Sequence, residues 1–303
     1  MRLRTAVLAL CALASPVTAA QEPELGLDHF RRVGQLVIAH REAAIGFSYT
    51  ARDDRPSGYS VDVCNRIVDR LRHQLGTPDL RVRYAKATAI TRFLLVKGKH
   101  ADLECGITSN TLERQQDFLF SNTIATRSAR LIALAGSGIG SVEDLRGRRL
   151  AVITDTTDAA TARRFVAARG LDADVVPVRN NVRAYQALMD GTVDAFFGTD
   201  VVMLGEAAQR GTRQRLAVVP GLEADENIAI VMAKDRPALK AFVDREVAAM
   251  AHSGELATLY RKWFLAPLPL VGITLGVPMP ESMKAALAHP NDAASKEPDF
   301  GGI

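Results

Sequence analysis

Apolar residues along this chain recur with two periods that replace one another in turn. Leu36-Val37-Ile38-Ala39 is a short apolar run ending in the polar pair His40-Arg41, the pattern of a buried strand whose C-terminal end emerges into a loop. Between residues 61 and 75 the spacing changes: Val61, Cys64, Ile67, Val68, Leu71 and Leu75 fall at helical intervals, with Ser60 as the candidate N-cap and Gly76 as the stop. Residues 80–84 alternate like a strand, 88–97 predict a helix stopped by Gly98, and 101–105 a strand running into Gly106. Further strands at 150–153, 174–178 and 193–197 interleave with helices at 155–169, 181–189 and 200–210. Such an order predicts α/β layers with largely parallel sheets. Leu94-Leu95-Val96-Lys97-Gly98 before Ala101-Asp102-Leu103 is echoed by Ala187-Leu188-Met189-Asp190-Gly191 before Val193-Asp194-Ala195. Both read as helix, glycine cap and strand, as two similar lobes would show.

Length and composition fit that pattern. With 303 residues, 48% of them apolar, the chain can fill two globular cores, and 24% charged residues without long like-charge runs argue against disorder. The first twenty residues read as an export signal: Arg2 and Arg4 precede an apolar run, and small residues before Gln21 place cleavage near Ala20/Gln21. A lipoprotein anchored at Cys11 is the rival reading, but Leu10 stands where a small residue is expected. No apolar run reaches the length of a transmembrane helix. Removing Arg2 and Arg4 leaves two fewer basic residues than the 38 in the full chain, against 34 acidic ones. So even a balance, with 6% aromatics, does not suggest a nucleic-acid surface. Cys64 and Cys105 remain after cleavage, and an exported protein could join them or keep them as buried thiols.

Ligands of open α/β sheets collect beyond the carboxyl ends of strands. The residues at those ends are His40-Arg41-Glu42, Glu104 to Asn110, and Phe197-Gly198-Thr199-Asp200. The second stretch leads through Thr111 into a helix carrying Arg114, and Arg92 lies on the helix starting near Thr88. Each arginine could grip a carboxylate through a two-pronged hydrogen-bonded fork, or simply be solvated on the surface. The six histidines show no metal-ligand spacing with each other or with the cysteines, so no metal and no cofactor is predicted. The glycine-rich stretch 136–140 lacks the lysine and hydroxyl of a phosphate-binding loop and reads as a surface loop. Trp263, after an amphipathic helix, reads as a packing anchor.

Several blocks carry a resemblance. Ala39-His40-Arg41-Glu42 with Phe47-Ser48-Tyr49, Gly58-Tyr59-Ser60-Val61-Asp62, Glu104 to Asn110 with Glu113-Arg114-Gln115, and Phe120-Ser121-Asn122-Thr123-Ile124 resemble the periplasmic amino-acid-binding proteins of ABC importers, solute-binding protein family 3. The similarity runs from about Leu36 through Trp263-Phe264 to the tail, and is greatest to those binding glutamate and aspartate. The resemblance implies a two-lobed, type II (Venus-flytrap) α/β fold. Residues 21–125 and 224–303 would form lobe 1 and 126–223 lobe 2, hinged near 124–129 and 221–227.

By the same resemblance, Arg41 looks like the arginine that holds the side-chain carboxylate of glutamate or aspartate, and Arg92 like a second at that end. Arg114 looks like the partner of the α-carboxylate, helped by Thr108 and Ser109. There are three departures. Ala89 stands where a serine assists the distal carboxylate, Asn181 where a second-lobe histidine lies, and Thr199 where an aspartate receives the ligand's ammonium group. Either Asp200 takes that last role, or the ligand is an amine-free dicarboxylate. The expectation is a monomeric periplasmic carrier of an acidic amino acid, delivering it to an ABC permease of the inner membrane, with Arg41, Arg92, Thr108, Ser109, Arg114, Asn181, Thr199 and Asp200 at the ligand. The rival is an enzyme on the same scaffold resembling a cyclohexadienyl or arogenate dehydratase, which requires an acid or base such as Glu42, Glu104 or Asp200 poised in the cleft.

Overall fold

A computed structural model describes residues 26–51, 53–269 and 271–298. The expected export signal and its alternative anchor at Cys11 lie outside the described residues. The chain opens with a short helix α1 (Asp28–Val33), then strand β1 (Gln35–Arg41) and a small three-stranded sheet of β2 (Ala43–Ala44), β3 (Ser48–Thr50) and β4 (Pro56–Ser57). Helix α2 (Tyr59–Leu75) starts one residue before the expected cap because Gly58, at φ 126°, is itself the capping residue. It stops where the sequence predicts, with Gly76 left-handed at φ 62° and its N–H returned to the Arg72 and His73 carbonyls. Strand β5 (Arg81–Ala87), helix α3 (Thr91–Lys97), strand β6 (Leu103–Glu104), helix α4 (Leu112–Asp117) and strand β7 (Phe118–Phe120) follow.

The chain then leaves this sheet along β8 (Ala125–Leu134) and builds a second one. It is formed with β9 (Arg149–Ile153), helix α5 (Thr157–Ala168), β10 (Asp174–Val178), α6 (Asn181–Met189), β11 (Ala195–Thr199) and α7 (Asp200–Gln209). The long strand β12 (Leu216–Ile228) brings it back, to β13 (Val231–Ala233), helices α8 (Pro237–His252) and α9 (Glu255–Tyr260), a π-helical turn at Arg261–Leu265, and α10 (Glu281–Ala288). The strand order is β5-β1-β6-β13-β7 in one sheet and β10-β9-β11-β8-β12 in the other. Three neighbouring strands of each are parallel. One strand of each, β13 in the first and β8 in the second, runs against them, and the outer strands β7 and β12 pair antiparallel with it and so share the direction of the first three. Hence the sheets are mixed, where the alternation predicted largely parallel ones. Strands β8 and β12 pair antiparallel from Ala125↔Ile228 to Glu223↔Arg130. They form a two-stranded ribbon linking two lobes.

Each sheet is covered on both faces. In the first lobe, Ile38, Val63, Val68 and Leu103 pack with Phe242 and Val247 of α8, so the C-terminal helices complete a core begun by the N-terminal third. On the opposite face Ala39, Val96, Phe118 and Val231 form a second layer beneath α3. Trp263 fills the first core and donates its Nε1–H to Asp62 Oδ2 at 2.7 Å, the packing-anchor role expected of it. Cys64 and Cys105 are joined as a disulfide, tying α2 to the end of β6. In the second lobe, Phe165 of α5 packs on one face of the sheet and Tyr185, Leu188 and Met203 of α6 and α7 on the other. The start of α7 also reaches across: Val201 and Val202 pack with the first lobe's core, and a side chain at Gly205 would strike Ile45 and Leu275. The final described stretch lies along the ribbon, where Asn227 N–H donates to Ser295 Oγ at 2.8 Å and Asn110 Nδ2 to the Asp292 carbonyl at 2.8 Å. It ends with Glu297 paired to Arg164 of the other lobe.

Candidate functional site

The parallel strands β1 and β6 point their carboxyl ends at those of β9 and β11 across the gap between the lobes, and a narrow cavity of about 30 Å³ lies there. Four arginines line it: Arg41, Arg92, Arg114 and Arg127. Arg41 is the last residue of β1, held by its own N–H donating to Ser48 Oγ at 2.9 Å. Arg92 belongs to α3, and its guanidinium donates to the Ala89 carbonyl and, across the gap, to the Asp155 carbonyl at 3.2 Å. Thr111 caps α4 by accepting the Arg114 N–H, and Arg114 Nη1 turns back to the Ser109 carbonyl at 2.9 Å. The Phe93 ring lies beneath both Arg92 and Arg114, 4.4 and 5.1 Å from their guanidinium carbons, a favourable cation–π placement.

Charge is distributed unevenly around these side chains. Arg41 and Arg92 are 5% and 2% exposed, and among the described residues the Nε of each has no hydrogen-bond partner. Burial lowers the pKa of both, Arg92 further because Arg41 and Arg114 repel its charge. Glu104, fully buried beside them, is pushed up by burial although Arg92 and Arg41 pull it down. Its side chain occupies the space that Gly106 leaves, since a Cβ there would meet Glu104 Oε1.

Arg127, on β8, is the most heavily bonded. Its Nη1 donates to Thr199 Oγ1 at 3.0 Å, and its Nη2 to Thr157 Oγ1 at 3.0 Å, Asp158 Oδ1 at 2.8 Å, Ser109 Oγ at 3.2 Å and Glu226 Oε2. Burial alone would lower its pKa, but Asp158 and Glu226 outweigh burial and raise it. Glu226 accepts from Ser109 and Thr157 as well, and with Arg127 these donors overcome burial to hold its carboxyl below the usual range. Asp158 sits in the first turn of α5, where the helix N-terminus also favours a carboxylate.

A model of the bacterial extracellular solute-binding proteins, family 3, matches residues 36–266 of this chain. The chain belongs to that family. Among its relatives, the L-glutamate/L-aspartate-binding protein of Pseudomonas aeruginosa is 30% identical over 296 residues, covering 97% of each chain. The glutamate/aspartate import solute-binding protein of Escherichia coli is 29% identical over 300 residues, covering 97% of this chain and 99% of that one. Among solved structures, a mutant of ArgBP from T. maritima superposes with a TM-score of 0.69 at 20% identity, over 79% of this chain and 99% of that one. The ancestral amino acid-binding protein described as a precursor of cyclohexadienyl dehydratase gives 0.67 at 22%, over 78% and 98%. The solute-binding fold of two lobes around a cleft is thus shared by proteins of different ligands.

Of the residues singled out in the sequence, Arg41, Arg92, Ser109, Arg114, Asn181 and Thr199 line the cavity of this solute-binding protein. Thr108 does not. It is buried, with its carbonyl accepting the Ala229 N–H. Asp200 also stands outside the cavity: Oδ1 accepts the Val201 N–H at 2.6 Å and Oδ2 lies 3.5 Å from Arg130 Nε. Asn181 donates across the gap to the Ala43 carbonyl at 2.8 Å, beside a second bridge from Asn180 to Glu42 at 2.7 Å. Sequence reasoning missed Arg127, Thr157, Asp158 and Glu226. The available signal was the arginines within an otherwise largely apolar crossover segment and the acidic residues in the returning one.

Proposed function

We propose that this solute-binding protein captures, in the periplasm, a small anion bearing two carboxylates by closing its lobes, and hands it to an ABC permease of the inner membrane. The observation that carries this reading is the convergence of Arg41, Arg92 and Arg114, from three separate segments, on one cavity between the lobes. Buried guanidinium groups are stable when paired, and Arg41 and Arg92 each hold a buried Nε without a protein acceptor among the described residues. A ligand carboxylate supplies what is missing, in the bidentate geometry that guanidinium favours.

Arg41 and Arg92 would hold one carboxylate, and Arg114 with Ser109 the other. Asn181, Thr199 and the interlobe bonds to Ala43 and Glu42 would favour the closed arrangement, with β8 and β12 as the hinge. Glutamate and aspartate, named for the two close relatives, meet the requirement for two carboxylates, and so does an amine-free dicarboxylate. A monomer suffices for this cycle. The dehydratase-like alternative needs a carboxyl group free to move a proton in the cleft. Glu104 and Asp200 do not line the cavity, Glu42 lines a separate pocket and accepts from Asn180, and Asp158 is tied to Arg127, which favours a carrier.

Calorimetric titration of the purified protein with glutamate, aspartate, succinate and 2-oxoglutarate tests the reading. At least one should bind, and Arg114→Ala should weaken it by a hundredfold or more. No heat with any of the four, or unimpaired binding by the variant, would overturn it.

A further inference from the structure

We infer that the ligand of this protein carries no ammonium group: it is an organic dicarboxylate whose second carbon bears hydrogen, a hydroxyl or a keto oxygen in place of an amine. The inference rests on the two-carboxylate reading above and narrows it. An α-ammonium group brings three donors and a positive charge, so its site needs acceptors and a carboxylate with capacity to spare. At this cavity the acids already face a guanidinium.

At the end of β11, where the family resemblance places an aspartate for the ammonium, stands Thr199, and its hydroxyl oxygen already accepts from Arg127 Nη1 at 3.0 Å. An ammonium drawn to that oxygen would have a guanidinium as its nearest neighbour. The neighbouring acid, Asp200, faces Arg130 and its own helix, outside the cavity. Asp158 meets Arg127 at 2.8 Å, and Glu226 Oε2 accepts from Arg127, Ser109 and Thr157 together. Each of these carboxylates is already paired, through one oxygen, with the buried cation Arg127.

The balance of charge agrees. Four arginines line the cavity, and the acids near them are Asp158, Glu226 and the fully buried Glu104, whose burial favours its neutral form. The surplus is positive. It suits a dianion better than a zwitterion that adds a cation of its own. A keto or hydroxyl oxygen in the amine's place would accept from Arg127, where an ammonium could only donate.

The experiment is competitive calorimetry on the whole mature chain with succinate, 2-oxoglutarate, L-glutamate and L-aspartate at neutral pH. Succinate or 2-oxoglutarate should bind at least tenfold more tightly than either amino acid. Thr199→Asp, which restores a carboxylate at the end of β11, should shift the ratio at least tenfold toward L-glutamate, with its circular dichroism checked against the parent. Amino acids bound as tightly as the amine-free acids by the unaltered protein would overturn the inference and leave the two-carboxylate reading standing. Absence of binding by all four would overturn that reading itself, and the inference with it.

Discussion

Replacing Arg127 with leucine removes the cation that faces two buried carboxylates, and the surroundings set the size of the loss. The Arg127 side chain is 3% exposed, and those of Asp158 and Glu226 are 7% and 6%. Leucine fills much of the same volume, so the deficit is mainly electrostatic. Breaking a buried ion pair from one side costs about 3–5 kcal/mol, because the remaining charges stay desolvated and lose their attraction. Ser109 and Thr157 go on donating to Glu226, which favours the lower end, about 3 kcal/mol. For a chain of this size that is a fall in Tm of roughly 5 °C.

The pH dependence identifies the cause. Without the guanidinium, both carboxyl groups are buried unopposed: the folded pKa of Asp158, which burial already raises in the unaltered protein, rises further, and that of Glu226 rises above the unfolded one. The folded variant then binds more protons than the unfolded chain and gains stability as pH falls. In the unaltered protein Glu226 is held below its ordinary value, so its contribution is present above the unfolded pKa and lost as pH falls through the folded one. The gap between the two proteins should therefore narrow from about pH 7.5 to about pH 5, where unfolded carboxylates begin to titrate. Urea unfolding followed by circular dichroism measures it. Adding Asp158→Asn and Glu226→Gln should bring the variant back to within about 1 kcal/mol of the parent. A loss below about 1 kcal/mol at neutral pH, or a gap that does not change with pH, would refute the electrostatic account.

Three further outcomes follow from other parts of the molecule. Glu104→Gln should raise the melting temperature at neutral pH and flatten its pH dependence: burial raises the folded pKa of Glu104, so the folded state holds more protons and its stability falls as pH climbs from the ordinary carboxylate range toward that value. Melts across that range that superpose on the parent's would contradict it. The disulfide closes a loop of 41 residues in sequence, for which chain entropy gives about 4 kcal/mol, so Cys64→Ala/Cys105→Ala should lose about 2–4 kcal/mol in urea titrations. Gly58→Ala should cost at least about 3 kcal/mol, because at φ 126° its Cβ would sit 2.3 Å from the Phe47 carbonyl oxygen; a loss near the ordinary glycine-to-alanine range would show that the strand-to-helix turn yields easily.

How far the sequence reached depended on the range of the cause. Strand β10 and helix α6 have the bounds their own periodicity predicts, since local alternation and the Asn180 cap decide them. Helix α3 begins three residues later than its apolar spacing suggests, because Thr88 and Thr91 trade hydroxyl and N–H bonds in a turn before it. The antiparallel strands of both sheets were not legible, as their direction follows from where the chain crosses between lobes. At the site, the arginines at strand and helix ends could be picked out by position. Their selection as a converging group came from the family resemblance, and Asp200, equally well placed in sequence, turned away toward Arg130. The Arg127, Asp158 and Glu226 cluster joins three segments far apart along the chain, and no spacing rule brings such partners together.

Trp263 gives the molecule a built-in optical asymmetry. It is the single tryptophan of the chain, 3% exposed and packed within the lobe that α8, α9 and α10 complete. Its emission therefore monitors the loss of that lobe's core, while the other lobe melts without a tryptophan of its own. Circular dichroism registers both. If the two signals fall at one temperature, the lobes unfold as a unit. If they separate, the interval measures how strongly the ribbon and the cleft contacts couple them, and saturating ligand should close that interval by binding both lobes at once.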